Sequence, residues 1–285
     1  MTFVTRFAPS PTGPLHLGHA FSALLAWDKA RAVGGRFLLR IEDIDPTRCR
    51  PDWEAQIYDD LRWLGLRWED PVMRQSERSV AYAKALDDLW ARGMLYPCHC
   101  TRRDIAAAAS APQEGGDPLT GPDGMIYPGT CRGRARTGSR PRGAALRLDS
   151  ARAAAPGTTF RETGAGPDGQ TGQQVLTPGE ITSDIGDIVL SRKDFIGSYH
   201  LSAVLDDAAQ GVTHVIRGQD LFEATFIHVI LQRLLNLSTP VYHHHRLIRD
   251  EAGKRLAKRD DARAIATYRA AGATPDDIRA MVGLR

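Results

Sequence analysis

The sequence predicts an α/β fold: a doubly wound parallel sheet in two halves, with an inserted subdomain between them and a short helical tail at the C-terminus. Three observations lead there. A strand-to-helix unit opens the chain, and a second of the same style begins near residue 213. Between them, residues 101–175 turn rich in Ala, Gly, Pro, Arg and Thr, with weak periodicity. At 285 residues the chain has room for about two domains, or one with an insertion.

Residues 3–8, Phe-Val-Thr-Arg-Phe-Ala, read as a strand that Pro9, Pro11, Gly13 and Pro14 break. From Leu17 the apolar positions Phe21, Leu24 and Leu25 follow helical spacing until Gly34-Gly35 stops them. Residues 36–42 form the next strand, so this is a βαβ unit, which implies parallel pairing and a right-handed crossover. Helices are expected over 53–64 and 77–92, and the first half of the sheet ends near residue 96. Residues 97–185 form the expected insertion, with a strand at 144–148 and a second, at 187–191, just past its end. Residues 186–239 hold the second half: a strand at 213–217, then a helix with Leu221, Ile227, Ile230, Leu231 and Leu234 on one broad face. Residues 240–285 are assigned to a basic loop and a short helical tail.

Composition narrows the function classes. Hydrophobic residues make up 42% and charged residues 25%, which excludes a disordered chain or a membrane bundle. No apolar run approaches the roughly 18 residues of a membrane span, and the N-terminus lacks an apolar signal core. Four cysteines are too few for a disulfide scaffold, and the expectation is a reducing cytoplasm. The net charge, 37 − 34 = +3, is too small to mark a nucleic-acid protein, so RNA binding would need a local patch. Arg132, Arg134, Arg136, Arg140, Arg142 and Arg147 supply six arginines in 16 residues, readable as that patch or as a solvated loop.

Two motifs carry chemistry. Pro11-Thr-Gly-Pro-Leu-His16-Leu-Gly18-His19 sits between a strand and a helix, where ligands bind in open α/β sheets. His16 and His19 share one face of the first helical turn, where exposed N–H groups and the helix dipole suit a phosphate. Gly18 between them would let a base or phosphate approach the backbone. Gly253-Lys-Arg255-Leu-Ala257-Lys258-Arg259 could close on a triphosphate, although taken alone it reads more readily as a solvated basic loop, since short basic runs are common. A metal question is posed by Cys98-His99-Cys100 and Cys131, with Tyr127 nearby in sequence: three sulfurs and an oxygen would make a closed tetrahedral zinc site. His99 is a rival fourth ligand, and three free buried thiols are the plain alternative.

Together the two motifs resemble the paired signatures of the class I aminoacyl-tRNA synthetases, whose catalytic sheet is Rossmann-like. Residues 6–13 with Leu15-His-Leu-Gly-His-Ala20, Arg40-Ile-Glu42-Asp-Ile-Asp45, Tyr199-His-Leu201, Val204-Leu-Asp-Asp207 and residues 211–218 are closer still to the glutamyl-tRNA synthetases. Only 285 − 259 = 26 residues follow the basic loop, so the chain is similar to the family's shortened branch, which lacks the long anticodon-binding region.

That resemblance implies ATP-dependent activation of L-glutamate to glutamyl-adenylate, then transfer to the queuosine base in the anticodon of tRNA(Asp). It implies a glutamate pocket of Arg6, Phe7, Ala8, Pro9, Ser10, Glu42, Tyr199 and Arg217. The two guanidiniums would each grip a carboxylate by a bidentate fork, and Glu42 would take the ammonium. It implies His16, His19 and Lys258 as catalytic groups, with Gly18 and Arg255 also on ATP, and Mg2+ accompanying the nucleotide. A structural Zn2+ would sit on Cys98, Cys100, Tyr127 and Cys131. The chain departs from the family where Ser202-Ala203 replaces a usual Asn neighbourhood and Ala257 a usual Ser. A monomer without a membrane partner is expected. Three other readings remain open: a synthetase charging a tRNA 3′ end, a small nucleotidyltransferase, and a non-catalytic RNA-binding paralogue.

Overall fold

The computed structural model describes residues 2–109, 119–134, 138–249 and 263–284. Its first sheet is parallel throughout, with Val4–Phe7, Arg36–Ile41 and Glu69–Arg74 side by side in chain order. A second sheet runs in the order His214–Gly218, Val241–His245, Thr158–Glu162, Gly172–Leu176, with only the last pairing antiparallel. The sheets meet where the Thr213 amide donates to the Val4 carbonyl and the Val4 amide donates to Thr213 Oγ1, both at 2.9 Å. The two strands that carry Arg6 and Arg217 are thereby neighbours.

The helix Leu17–Ala32 returns the chain from the first strand to the second and covers the sheet with Ala20, Phe21, Ala23, Leu24 and Ala30, all buried. These side chains join Leu39, Ile41, Ile57 and Leu61 in one apolar core. Burying each large apolar side chain contributes about 1.5–3 kcal/mol. The helix Ala224–Leu234 is buried on nearly every face, where the sequence suggested one broad stripe. It lies between the strand Thr158–Glu162 and the helix Tyr199–Ala209, so both sides are covered.

Several strands escaped the sequence reading. Thr158–Glu162 falls in the stretch expected to be wholly insertion, yet it pairs with Val241–His245 in the second sheet. Val241–His245 itself lies where only a loop and helices were expected. Leu95–Cys98 pairs with Ala145–Leu148, which in turn pairs with Val189–Ser191, making a separate antiparallel sheet. The helices Ile265–Ala270 and Pro275–Met281 fold back on the first half of the chain. Ile278 and Val282 enter its core, and Arg279 grips both carboxylate oxygens of Asp28 at 2.9 Å. No helix among the described residues is long and apolar enough to cross a membrane.

Candidate active site

The carboxyl ends of the central strands open into a cavity of about 360 Å³. Arg6, Phe7 and Ala8 line it from the first strand; His16, Gly18 and His19 from the helix start; Glu42 from the second strand; Tyr199 and Arg217 from the second half of the chain. Nine of the residues expected to bind substrate thus converge from five elements. Pro9 and Ser10 lie beside the cavity wall in sequence but do not line it. Arg255 and Lys258 fall outside the described residues. Their flanks do not: Leu247 and Ile248 line the cavity, while Ala264 bridges to His16 and the Ile265 amide donates to the Leu15 carbonyl at 2.9 Å.

His16 is the N-cap of the helix Leu17–Ala32, and its Nδ1 accepts the Gly18 amide at 3.1 Å. His19 Nδ1 accepts the His16 amide at 3.2 Å. This is a capping box built from two imidazoles, whose rings lie 3.8 Å apart. Because each Nδ1 is an acceptor, each Nε2 carries the ring proton when the ring is neutral. Both rings therefore offer a donor at the positive end of a helix, a geometry suited to phosphoryl oxygens. Gly18, which lines the cavity, has a structural reason besides the one the sequence suggested: a Cβ there would meet the His16 ring at 3.0–3.1 Å. The small residue makes room for the cap.

The two guanidiniums differ sharply. Arg6 gives its Nε–H to Asp207 Oδ1 at 2.8 Å, and Arg40 gives an Nη1–H to the same oxygen at 2.6 Å. Arg40 also reaches Glu42 at 3.2 Å. The terminal nitrogens of Arg6 make no hydrogen bond to protein among the described residues, so its fork remains available to a carboxylate. Arg217 instead spends four of its five N–H groups. Nε donates to His244 Nε2 at 3.2 Å, Nη1 to His228 Nδ1 at 3.2 Å, and Nη2 to Thr225 Oγ1 at 2.8 Å and the Leu221 carbonyl at 3.3 Å. As it stands, Arg217 can offer a ligand one N–H and its charge. The bidentate grip expected from sequence requires one of those partners to let go.

Electrostatics follow from this wiring. Burial opposes the charge on Asp207, but Arg6 and Arg40 outweigh it and hold the carboxyl below its usual range. Glu42 is pushed up, chiefly by burial, against the pull of Arg40 and Arg6. Burial likewise raises the Tyr199 hydroxyl. Sequence reasoning quoted Asp207 and Arg40 in motifs but gave neither a role. The available signal was two adjacent carboxylates, Asp206-Asp207, on an otherwise apolar helix. Asp206 anchors that helix by accepting from Tyr82 at 2.7 Å, Arg78 at 3.1 Å and Gln75 at 3.2 Å. The three consecutive histidines belong to the strand Val241–His245. His245 lines the cavity and His244 faces Arg217, its partner across the parallel pair.

A second cluster lies apart from the cavity. The sulfurs of Cys98, Cys100 and Cys131 all lie within 4.8 Å of one another, and this group could hold a metal ion. The Tyr127 hydroxyl lies 3.5 Å from Cys98 Sγ and 3.3 Å from Cys100 Sγ, and accepts the Cys131 amide at 2.9 Å. Ligands of a tetrahedral ion bound at about 2.3 Å sit roughly 3.8 Å from each other, so the spacing fits. Burial would raise the Cys131 thiol, but hydrogen bonds from Tyr127 and its surroundings bring it down to about 6. His99 is not part of the group. The neighbouring arginines are only partly free for RNA. Arg132 pairs with Asp187 at 2.9 Å, Arg140 with Asp87 at 2.7 Å, and Arg147 lies over the Tyr127 ring at 3.8 Å. Arg134 and Arg142 are exposed, and Arg136 lies outside the described residues.

Comparison with known proteins matches residues 2–119 and 161–285 to the family described as tRNA synthetases class I (E and Q), catalytic domain. A protein of Rhodobacter capsulatus named glutamyl-Q tRNA(Asp) synthetase is 63% identical over 283 residues, covering 99% of this chain and all of that protein. A protein of the same name from Symbiobacterium thermophilum is 45% identical, covering 96% of this chain and 83% of its own length. Among solved structures, the glutamate–tRNA synthetase of Elizabethkingia anophelis superposes with a TM-score of 0.77 at 26% identity over 99% of this chain. The glutamate–tRNA ligase of Elizabethkingia meningosepticum, solved with its amino acid, gives 0.76 at 27% identity over the same share. The chain spans about three fifths of the length of those two structures, 61% and 60%.

Proposed function

The chain belongs to the class I tRNA synthetase family (E and Q, catalytic domain), and from that premise we propose the reaction its cavity performs. It is an ATP-dependent ligase that activates L-glutamate as glutamyl-adenylate and transfers the glutamate to the queuosine base in the anticodon loop of tRNA(Asp). The observation that carries this reading is the convergence of Arg6, Glu42, Tyr199 and Arg217 with the His16–His19 pair on one cavity.

Arg6 presents an open fork to one substrate carboxylate, and Arg217 presents charge and one N–H to the other. Glu42 takes the ammonium, and the Tyr199 hydroxyl adds a hydrogen bond. Phe7 and Ala8 shape the wall beside Arg6, and Pro9 and Ser10 follow them in the chain without lining the cavity. The reacting glutamate carboxylate attacks the α-phosphate of ATP and pyrophosphate leaves. The Nε2–H groups of His16 and His19 stabilise the charge that builds on the phosphoryl oxygens. Lys258, assisted by Arg255, neutralises the phosphates; the flanks of that segment lie against the cavity and His16. Mg2+ accompanies ATP and lowers the charge of its phosphates. A queuosine hydroxyl then attacks the mixed anhydride and AMP leaves.

Zn2+ belongs, in this reading, on Cys98, Cys100, Tyr127 and Cys131, as a structural ion that closes the segment around 98–131. The enzyme works as a monomer in the cytoplasm, consistent with four free cysteines. The test is ATP–pyrophosphate exchange with each amino acid in turn, followed by transfer of labelled glutamate to tRNA(Asp) with and without queuosine. Exchange confined to glutamate and label only on queuosine-bearing tRNA is expected. Absence of glutamate-dependent exchange, or label at the 3′ end, overturns the reading.

A further inference from the structure

We propose that Glu162 is a positioning residue for the glutamate anchor Arg217, acting through His244. The proposal rests on the functional reading above. Arg217 is buried, and among the described residues no carboxylate lies within ion-pair distance of its guanidinium. A buried cation without a counter-charge is costly, and here the counter-charge stands one imidazole away. His244 Nδ1 lies 2.5 Å from Glu162 Oε2, and both side chains are fully buried.

The hydrogen-bond directions are forced. Arg217 Nε–H can only donate, so His244 Nε2 accepts and the ring proton sits on Nδ1, donating to Glu162. Glu162 is itself fixed, because its Oε1 accepts the His244 amide at 2.9 Å and the Gly164 amide at 2.6 Å. Burial and Glu162 act in opposite directions on the ring; burial prevails and His244 is held neutral. A second brace has the same logic. His228 Nδ1 accepts from Arg217, so its Nε2–H donates to His200 Nδ1 at 3.3 Å, and His200 Nε2–H reaches Asp123 Oδ1 at 3.4 Å. Arg217 is thus held by neutral acceptors whose tautomers are set by distant carboxylates. Its orientation is fixed while its charge stays available for a substrate carboxylate.

Glu162→Gln tests this without changing size. The amide oxygen must keep the two backbone donors, so the NH2 faces His244 Nδ1. Either two donors then confront each other there, or the ring proton moves to Nε2 and confronts Arg217 Nε–H. In the second case the Arg217–His244 hydrogen bond is lost, and in the first the ring is pushed away from residue 162 and its placement against Arg217 loosens, while the bonds to His228, Thr225 and Leu221 remain. Glu162 and His244 are not among the cavity-lining residues, so no contact with substrate is removed. In glutamate-dependent pyrophosphate exchange, Glu162→Gln is expected to raise the KM for glutamate about tenfold while the KM for ATP stays unchanged. His244→Gln restores an acceptor near the Nε2 position and is expected to bind glutamate better than His244→Phe. Thermal melting reports folding in each variant. An unchanged glutamate KM in folded Glu162→Gln, or equal rises for both substrates, overturns the proposal. Wild-type protein without glutamate-dependent exchange overturns the functional reading, and this inference with it.

Discussion

Asp207 Oδ1 lies 2.8 Å from Arg6 Nε and joins the Val4–Phe7 strand to the helix Tyr199–Ala209, 201 residues later. The same oxygen takes Arg40 at 2.6 Å, so one buried carboxylate orients the proposed carboxylate anchor Arg6 and neutralises its neighbour. Replacing it by Asn leaves two buried guanidiniums facing a neutral amide. Asp207→Asn is expected to cost about 3–5 kcal/mol in chemical denaturation and to abolish glutamate-dependent exchange. A folded variant with normal stability would show that the Arg6–Asp207 pair is dispensable.

Acid stability follows from the same groups. Asp207, Asp187 and Glu162 are all held below their usual values; burial opposes this, and arginine or histidine partners with hydrogen bonds overcome it. A carboxyl with a lower pKa folded than unfolded stabilises the fold fully above the unfolded value, roughly 4, and loses that contribution as the pH falls through the folded value. The denaturation midpoint should therefore be flat near neutrality and fall below about pH 4. Glu42 and Asp60, raised by burial, act in the opposite direction as they protonate, so the loss is read below about pH 4; a midpoint that failed to fall there would contradict the assignments for Asp207, Asp187 and Glu162.

Glu42 titrates the opposite way. Burial raises its pKa, so the ionised form that would hold an ammonium appears only as the pH climbs above the ordinary carboxylate range. The KM for glutamate should fall as the pH rises through that range, because binding needs the charged form. Around it Asp207 stays ionised, and burial keeps His228, His244 and His245 neutral. In Glu42→Gln the acid limb should vanish and the KM should be uniformly high; persistence of the limb would assign it to another group.

Elemental analysis checks the cysteine cluster. Purified wild-type protein should carry about one zinc per chain, and Cys131→Ser much less. Tyr127→Phe should hold zinc more weakly in competition with a chelator while keeping the three thiolates. Retention of a full equivalent in Cys131→Ser would remove that sulfur from the ligand set.

Of the patch arginines Arg134 and Arg142, Arg134 also hydrogen-bonds the Cys131 thiol, so among the described residues only Arg142 of the two is without a structural contact to the cysteine cluster. Both are exposed, whereas Arg132 is committed to the buried Asp187. If the exposed pair meets phosphates, replacing both by Ala should flatten the slope of log tRNA affinity against log salt by up to about 1.4–1.8. Arg132→Gln should lower the melting temperature and leave that slope alone. An unchanged slope in the double variant would take the patch off the RNA.

The βαβ unit at the start of the chain and the strand-to-helix unit from residue 213 were legible because their apolar spacing is strong. Thr158–Glu162 and Val241–His245 were not, because a threonine-led segment and a run of histidines lack the alternation that marks a strand. Neighbouring strands, rather than their own residues, make them sheet. The cavity-lining set was legible for a different reason: Arg6, His16, Gly18, His19 and Glu42 lie at strand ends and helix starts that local patterning locates.

The sequence by itself determined the α/β class, the family resemblance, the position of the histidine motif and the cysteines that cluster, since each depends on local spacing or residue type. Only the tertiary structure decided how those groups are wired. That Arg6 keeps an open fork while Arg217 has one N–H left, and that a glutamate at 162 governs an arginine at 217, depends on burial and on hydrogen-bond geometry between distant strands. Water screens such charges in an extended chain; only in the dry interior does the placement of each proton fix the next.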